Sequence, residues 1–153
     1  MKFESEEAIR ERRGRHSIIR TGGVYGVGGK FFDWIVENLK KGATVQAFTD
    51  TKFTPTFVGD LVRVLLRLLN TDGGSLYHVA GPIPVSRFEM ALAVAKTLGY
   101  SPDRIEPASV DGTGLLIPCN NSLNSEWTNS FFDTIFQKKI RFYRKSVFSR
   151  NLY

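Results

Sequence analysis

Runs of extended and helical hydrophobic spacing alternate along the first hundred residues, and the alternation predicts an α/β chain. Glu4 to Arg13 is dense in helix formers, carries Glu6 and Arg10 as an i,i+4 pair, and meets a stop at Gly14. His16 to Arg20 is a β-branched strand. Five glycines lie between Arg20 and Trp34, and Phe31, Ile35, Val36 and Leu39 then repeat at helical spacing up to Lys40, Lys41 and Gly42, a lysine-rich carbonyl end with a left-handed cap. Ala43 to Phe48 is a second strand, and Thr49 to Thr56 is a polar loop in which Pro55 holds Thr54 extended.

Asp60 opens a strongly apolar helix over 61–69, with Val62, Leu65, Leu66 and Leu69 as its expected buried face. Asp72-Gly73-Gly74 turns the chain into a strand over Ser75 to Ala80, closed by Gly81-Pro82. Ser86-Arg87-Phe88-Glu89 is a capping box, and the helix behind it buries Phe88, Leu92, Ala95 and Leu98 before ending at Gly99. No hairpin signal separates the strands, so they are expected to be parallel. The chain shows no internal repeat and no low-complexity segment.

Composition narrows the picture. A chain of 153 residues with 42% hydrophobic and 24% charged positions suits one soluble domain with a sizeable core, and twelve phenylalanines give that core or a contact surface an aromatic character. The single cysteine, Cys119, excludes an internal disulfide and a cysteine zinc cluster, and it reads as structural. No apolar run reaches the ~18 residues of a membrane span, and the first residues carry no signal-peptide core, so a cytoplasmic protein is expected.

The net charge of +6 is concentrated at one end. Lys138, Lys139, Arg141, Arg144, Lys145 and Arg150 lie within 134–153 with no acid beside them, and setting those six aside leaves 15 basic against 15 acidic residues. A nucleic-acid role would therefore rest on this tail alone, and none is expected. Phe136, Ile140, Tyr143 and Val147 make it a basic amphipathic helix, either docked by its apolar face as the last helix of a domain or facing an acidic surface. The expected organisation is a partial sheet with a substrate-binding subdomain over 1–133 and this tail over 134–153.

The glycine stretch poses the chemical question. Gly23, Gly26 and Gly29 form GxxGxxG between a strand and a helix, and Asp50 lies 21 residues after Gly29, near where an acid would meet a ribose. As a phosphate-binding P-loop the stretch fails, because Val24 stands where the first glycine belongs and Phe31 follows Lys30 where a hydroxyl is needed. No Ser/His/Asp arrangement and no metal-ligand cluster stands out, and His78, with no carboxylate or serine partner spaced near it in a recognisable motif, reads as structural.

Four ordered motifs add a resemblance. Arg20-Thr21-Gly22-Gly23-Val24-Tyr25-Gly26, then Asp50 with Pro55-Thr56 and Asp60-Leu61, then Tyr77-His78-Val79-Ala80-Gly81, and finally Pro118-Cys119-Asn120-Asn121-Ser122-Leu123 resemble the C-terminal half of an extended short-chain dehydrogenase. The subfamily this is similar to is dTDP-4-dehydrorhamnose reductase, whose members read RTSWVYG, D…PT…DLA, YHxxG and RPxNSxL in that order. Lys2-Phe3-Glu4-Ser5-Glu6 resembles the stretch that begins at the lysine of the family's Tyr-x-x-x-Lys pair.

The resemblance implies an α/β, Rossmann-like fold of few parallel strands with flanking helices, in which this chain is the C-terminal portion and the N-terminal dinucleotide turn is absent. It implies a family activity in which NADP or NAD reduces the 4-keto carbon of a nucleotide sugar, as in dTDP-rhamnose biosynthesis. In the family the lysine lowers the pKa of the tyrosine that protonates the sugar carbonyl. Lys2 is then the catalytic candidate, although an ordinary solvated lysine is the alternative, and the tyrosine would fall ahead of Met1. The chain alone is accordingly expected to be inactive.

Thr21, Gly22, Gly23, Tyr25, Thr54, Pro55, Thr56 and Asn120 are the residues the resemblance assigns to the nucleotide sugar. A packing role for Tyr25 and turn roles for Thr54 to Thr56 and for Asn120 remain open beside it. Two departures stand out: Gly22-Gly23 replaces Ser-Trp, and Ile117 replaces the arginine before Pro118. They motivate a second reading, a non-catalytic module like the regulatory subunit of methionine adenosyltransferase, working with a protein partner or as a homodimer. A third reading is a nucleotide-sugar epimerase or dehydratase relative.

Overall fold

The computed structural model describes residues 2–26 and 28–131; the basic tail over 134–153 lies outside them. The chain opens with helix α1 (Lys2–Arg10), strand β1 (Ile18–Thr21), the two-residue β2 (Val24–Tyr25), helix α2 (Lys30–Lys40) and β3 (Val45–Phe48). Then follow β4 (Lys52–Phe53), β5 (Thr56–Phe57), helix α3 (Val58–Leu68), β6 (Leu76–Val79), β7 (Val85–Ser86), helix α4 (Arg87–Leu98), β8 (Ile105–Ala108), β9 (Asn120–Asn121) and helix α5 (Glu126–Phe131).

Parallel pairing dominates, as the alternation of strands and helices requires. β1 runs parallel to β6 with Ile19 opposite Tyr77, and β2 parallel to β5 with Val24 opposite Thr56. β3 runs parallel to β8, with Val45 opposite Ile105. The polar loop expected over 49–56 holds two short strands, and β4 breaks the all-parallel expectation. It lies between β9, parallel, and β7, antiparallel, with Phe53 opposite both Asn121 and Val85.

Two hydrophobic clusters result. The larger joins one face of α2 (Phe32, Ile35, Val36, Leu39) to Val45 and Ala47 of β3, Ile105 of β8, and Met90, Ala91, Val94, Ala95 and Leu98 of α4. Ile35, Val36 and Leu39 of α2 are buried as expected, and only the first position differs. Phe32 is buried and Phe31 is left at the margin, because the helix starts at Lys30 and Phe32 then shares a side with Ile35, Val36 and Leu39. α4 shows a similar adjustment: Ala95 and Leu98 are buried as expected, whereas Phe88 and Leu92 flank the core. Its capping box is formed in full, with Glu89 N–H donating to Ser86 Oγ at 3.0 Å and Ser86 N–H to Glu89 Oε2 at 2.7 Å. Gly99 closes the helix in the left-handed conformation, φ 79°.

The smaller cluster holds Val64 and Leu68 of α3 against Tyr77 and Val79 of β6, with Leu61 and Ile19 beside them. Here the expected face is the wrong one. Val62, Leu65, Leu66 and Leu69 are 46%, 40%, 57% and 78% exposed, and the i,i+4 pair Val64 and Leu68 is inside with Asp60. The helix is apolar on two stripes, so periodicity alone does not choose between them, and the stripe that meets β6 is the narrower one. Asp60 is the third residue of α3 rather than its cap, and its carboxylate pairs with Arg63 one turn on. Cys119, read as structural, is exposed. No helix among the described residues is long and apolar enough to cross a membrane.

Candidate functional site

Strand β1 carries the chain out of the sheet at Thr21, and the segment behind it faces a cleft of about 1330 Å³. Thr21, Gly22, Gly23 and Tyr25 form one wall, Phe3, Ser5 and Glu6 of α1 a second, and Phe31, Phe53, Arg87 and Asn121 a third. The three-stranded β7-β4-β9 sheet assembles that third wall: pairing sets Phe53 beside Asn121, and Arg87 directly follows the β7 residue Ser86 opposite Lys52.

Glycine is needed at 22 for packing. A Cβ there would run into the Thr54 carbonyl oxygen, and one at Gly23 would stand 3.1 Å from the Phe53 ring. The pair thus lets β1 and β4 approach closely and leaves Phe53 to fill the space over residue 23.

Thr54, Pro55 and Thr56 are buried and stand behind this wall rather than on it. Thr54 Oγ1 accepts from Leu123 N–H at 2.9 Å, and Pro55 O accepts from Gly81 N–H at 3.2 Å. Thr56 Oγ1 takes a hydrogen bond from Thr21 at 3.1 Å and donates to Val79 O at 3.3 Å. With both hydroxyls used internally, the Thr-Pro-Thr segment is a strut between β1, β6 and the segment after β9 that helps to fix the position of Thr21. Tyr25 is buried and packs on Phe57 at 5.6 Å between ring centroids. Asn120 is exposed, and its Oδ1 accepts from Ser122 N–H at 3.0 Å and from the Ser122 hydroxyl, holding the turn. Its neighbour Asn121 is the one that lines the cleft. Lys2 is the first residue of α1. His78 Nδ1 donates to the Asn124 carbonyl at 3.2 Å, a structural tie.

Two features of the cleft do not show as motifs. Arg20 clasps Glu6 through Nε and Nη2 at 2.8 and 2.7 Å, which pins α1 to β1, and Arg10 adds a looser contact at 3.8 Å. The Arg20 hydrogen bonds hold the Glu6 carboxyl below its ordinary range, and the same contact raises Arg20. The second feature is Arg87, whose guanidinium carbon lies 4.7 Å from the centroid of the Phe31 ring and 5.6 Å from that of Phe53. Phe31 in turn stacks on Trp34 at 6.0 Å. One sequence signal for Arg87 existed: a cation in the first turn of a helix opposes the macrodipole, so something other than the helix must favour it there.

The residues of the glycine stretch do not fit a dinucleotide pyrophosphate. Gly28 N–H donates to Asp33 Oδ2 at 3.1 Å, so a carboxylate of the helix itself occupies the start of α2. A Cβ at Gly29 would be 3.2 Å from backbone atoms of Val24, Tyr25 and Gly26, so the backbone there is closely packed. Asp50, spaced for a ribose, instead accepts from the Ser109 hydroxyl and from Val110 N–H at 2.9 Å, and the Ser109 bond above all holds its carboxyl low. Among the described residues no group of His, Cys, Asp and Glu could hold a metal ion.

Known proteins share this fold. The chain is 31% identical over 115 residues to the dTDP-4-dehydrorhamnose reductase of Mycolicibacterium smegmatis, an alignment covering 72% of this chain and 35% of that protein. The dTDP-4-dehydrorhamnose reductase of Bacillus anthracis, solved in complex with NADP, superimposes with a TM-score of 0.77 at 22% identity, over 88% of this chain and 48% of that one. For the Yersinia enterocolitica dTDP-4-dehydrorhamnose reductase the TM-score is 0.75 at 23% identity, over 95% and 52%. The chain thus spans about a third of the length of the curated relative and about half of the two solved ones. The model of the RmlD substrate binding domain matches residues 1–150, and the chain belongs to that family.

Proposed function

We propose that this chain is the sugar-nucleotide-binding part of a reductase that uses NADP or NAD to reduce the 4-keto carbon of a nucleotide sugar. The observation that carries the reading is the cleft, lined by the Thr21 to Tyr25 segment together with Phe53, Arg87 and Asn121, all but Arg87 lying within the stretches that carry the family motifs. An apolar, aromatic cavity with a few polar groups is the usual surrounding of a ligand of this size. Thr21, held by Thr56, offers a hydroxyl at the rim, Tyr25 closes the floor, and Asn121 offers an amide. Lys2, at the start of α1, is the proposed partner of the proton-donating tyrosine in the whole reductase.

Gly22 is committed to packing against Thr54 and the start of α2 to Asp33, so the described residues act on the sugar nucleotide rather than on the reductant. They order the substrate and exclude water around it, which is the contribution a positioning domain makes to a hydride transfer. Ligand-dependent melting tests this division. dTDP-glucose is expected to raise the melting temperature of the 153-residue chain in a saturable way, while NADPH alone leaves it unchanged. A shift with NADPH and none with dTDP-glucose or UDP-glucose would reverse the assignment.

A further inference from the structure

The cleft holds charge that its own residues do not balance. Its described lining carries three cations, Arg20, Lys30 and Arg87, and one anion, Glu6. Glu6 is consumed by Arg20 through two short hydrogen bonds, so Lys30 and Arg87 are left over. Lys30 is exposed and hydrated, but Arg87 is half-buried against two aromatic rings. Contact with a ring face offsets part of the cost of removing a guanidinium from water, and it offers the N–H groups no acceptor. Among the described residues no carboxylate forms an ion pair with Arg87. Four independent elements keep it there: β7 delivers it, the capping box fixes the start of its helix, Phe53 comes from β4, and Phe31 comes from α2. A cation held at the unfavourable end of a helix, stripped of part of its water and lacking a carboxylate, is preorganised for an anion.

We propose that Arg87 is the diphosphate-recognising residue of this cleft, its guanidinium clamped by Phe31 and Phe53 so that its N–H fork meets the phosphate oxygens of a nucleoside diphosphate sugar. The assignment rests on the sugar-nucleotide reading above and makes it more specific, since it names the part of the ligand that is recognised and the residue that recognises it. An arginine fork suits two phosphate oxygens better than a lysine point charge does, and the rings restrict the fork to few orientations. The sugar is then directed toward Thr21 and Tyr25 on the opposite wall. The exposed Lys30 adds attraction at longer range and less selectivity.

Three probes separate the parts of the claim: inorganic pyrophosphate, dTDP-glucose and uncharged thymidine, titrated by calorimetry into the full chain and into Arg87→Gln, Arg87→Lys and the remote control Lys41→Gln. Arg87→Gln is expected to weaken pyrophosphate and dTDP-glucose at least tenfold and leave thymidine unchanged. Arg87→Lys is expected to lose less, and Lys41→Gln nothing. Unchanged far-UV circular dichroism shows that the variants are folded; if Arg87→Gln is not, the tenfold criterion passes to Arg87→Met, which keeps the stem against the rings. Equal dTDP-glucose affinity in wild type and Arg87→Gln overturns the diphosphate assignment while the sugar-nucleotide reading stands. Arg87-dependent binding of pyrophosphate without any binding of dTDP-glucose does the reverse. If wild type binds neither, both fall.

Discussion

The two hydrophobic clusters are built to different standards. Around α2 and α4 fourteen buried residues form a continuous core, whereas around α3 and β6 only four do, and α3 turns a stripe of apolar side chains outward. The fuller cluster lies under the β7-β4-β9 sheet that presents Phe53, Arg87 and Asn121; the thinner one lies under β1 and β6 and presents Thr21. The aromatic wall of the cleft is thus mounted on the fuller cluster. On the other wall Tyr25 also belongs to the fuller cluster, whereas Thr21 and α1 are held by polar ties, Thr56 to Thr21 and Glu6 to Arg20.

The sharpest way to break this comparison is to truncate one side chain from each body. Leu39, 2% exposed in the larger cluster, is expected to cost about 2–5 kcal/mol on conversion to alanine. Leu66, 57% exposed on α3, is expected to change stability by no more than about 0.5 kcal/mol on the same conversion. Urea unfolding of the two variants measures both. Equal losses would mean that the outward stripe of α3 is covered in solution and that the thin cluster is thicker than four residues.

A smaller effect is expected where the two bodies meet. Gly22→Ala places a methyl against the Thr54 carbonyl, forcing β1 and β4 apart at an estimated cost of about 1–3 kcal/mol. Because Thr21 and Phe53 face the cleft from either side of that contact, dTDP-glucose affinity is expected to fall with stability. A variant that loses neither would show that the walls have slack between them.

How much of this was written locally decided how much was legible. The capping box of α4, the Gly99 stop and the parallel strands were readable because each depends on residues within a few positions or on the simple alternation of elements. The buried face of α3 was not, since two apolar stripes compete and only contact with β6 selects one. Thr54-Pro55-Thr56 read as a polar loop because its hydroxyls look available in sequence; their partners are Leu123, Thr21 and Val79, tens of residues away. The motifs located one wall of the cleft, through Thr21 to Tyr25. The wall with Arg87 depends on strand pairing between β4, β7 and β9, and two-residue strands leave too short a pattern to read.

The smallest expected effect concerns acid, and it asks whether polar ties really support the thinner body. Glu6 has its carboxyl lowered from the ordinary 4.5, first by its hydrogen bonds to Arg20, against an opposing effect of burial, and then by the charges of Arg20 and Arg10. A lowered folded-state value means that the unfolded chain binds the proton more readily. The stabilisation is therefore complete above the unfolded value near 4.5 and is lost as pH falls through the lower folded one. Asp50 behaves in the same direction from an ordinary 3.8 through Ser109, but it ties β3 to the segment after β8 in the fuller body. Melting temperature followed from pH 6 down to pH 3 is expected to fall for wild type and to fall less steeply for Glu6→Gln and for Asp50→Asn, each lacking one of the two protons taken up. The two variants differ in what they loosen. Glu6→Gln frees α1 from β1, so amide exchange is expected to accelerate in α1 at neutral pH with α4 unaffected, whereas Asp50→Asn leaves α1 protected. Unchanged exchange in α1 would mean that apolar contacts, not the Arg20 clasp, hold the first helix against the sheet.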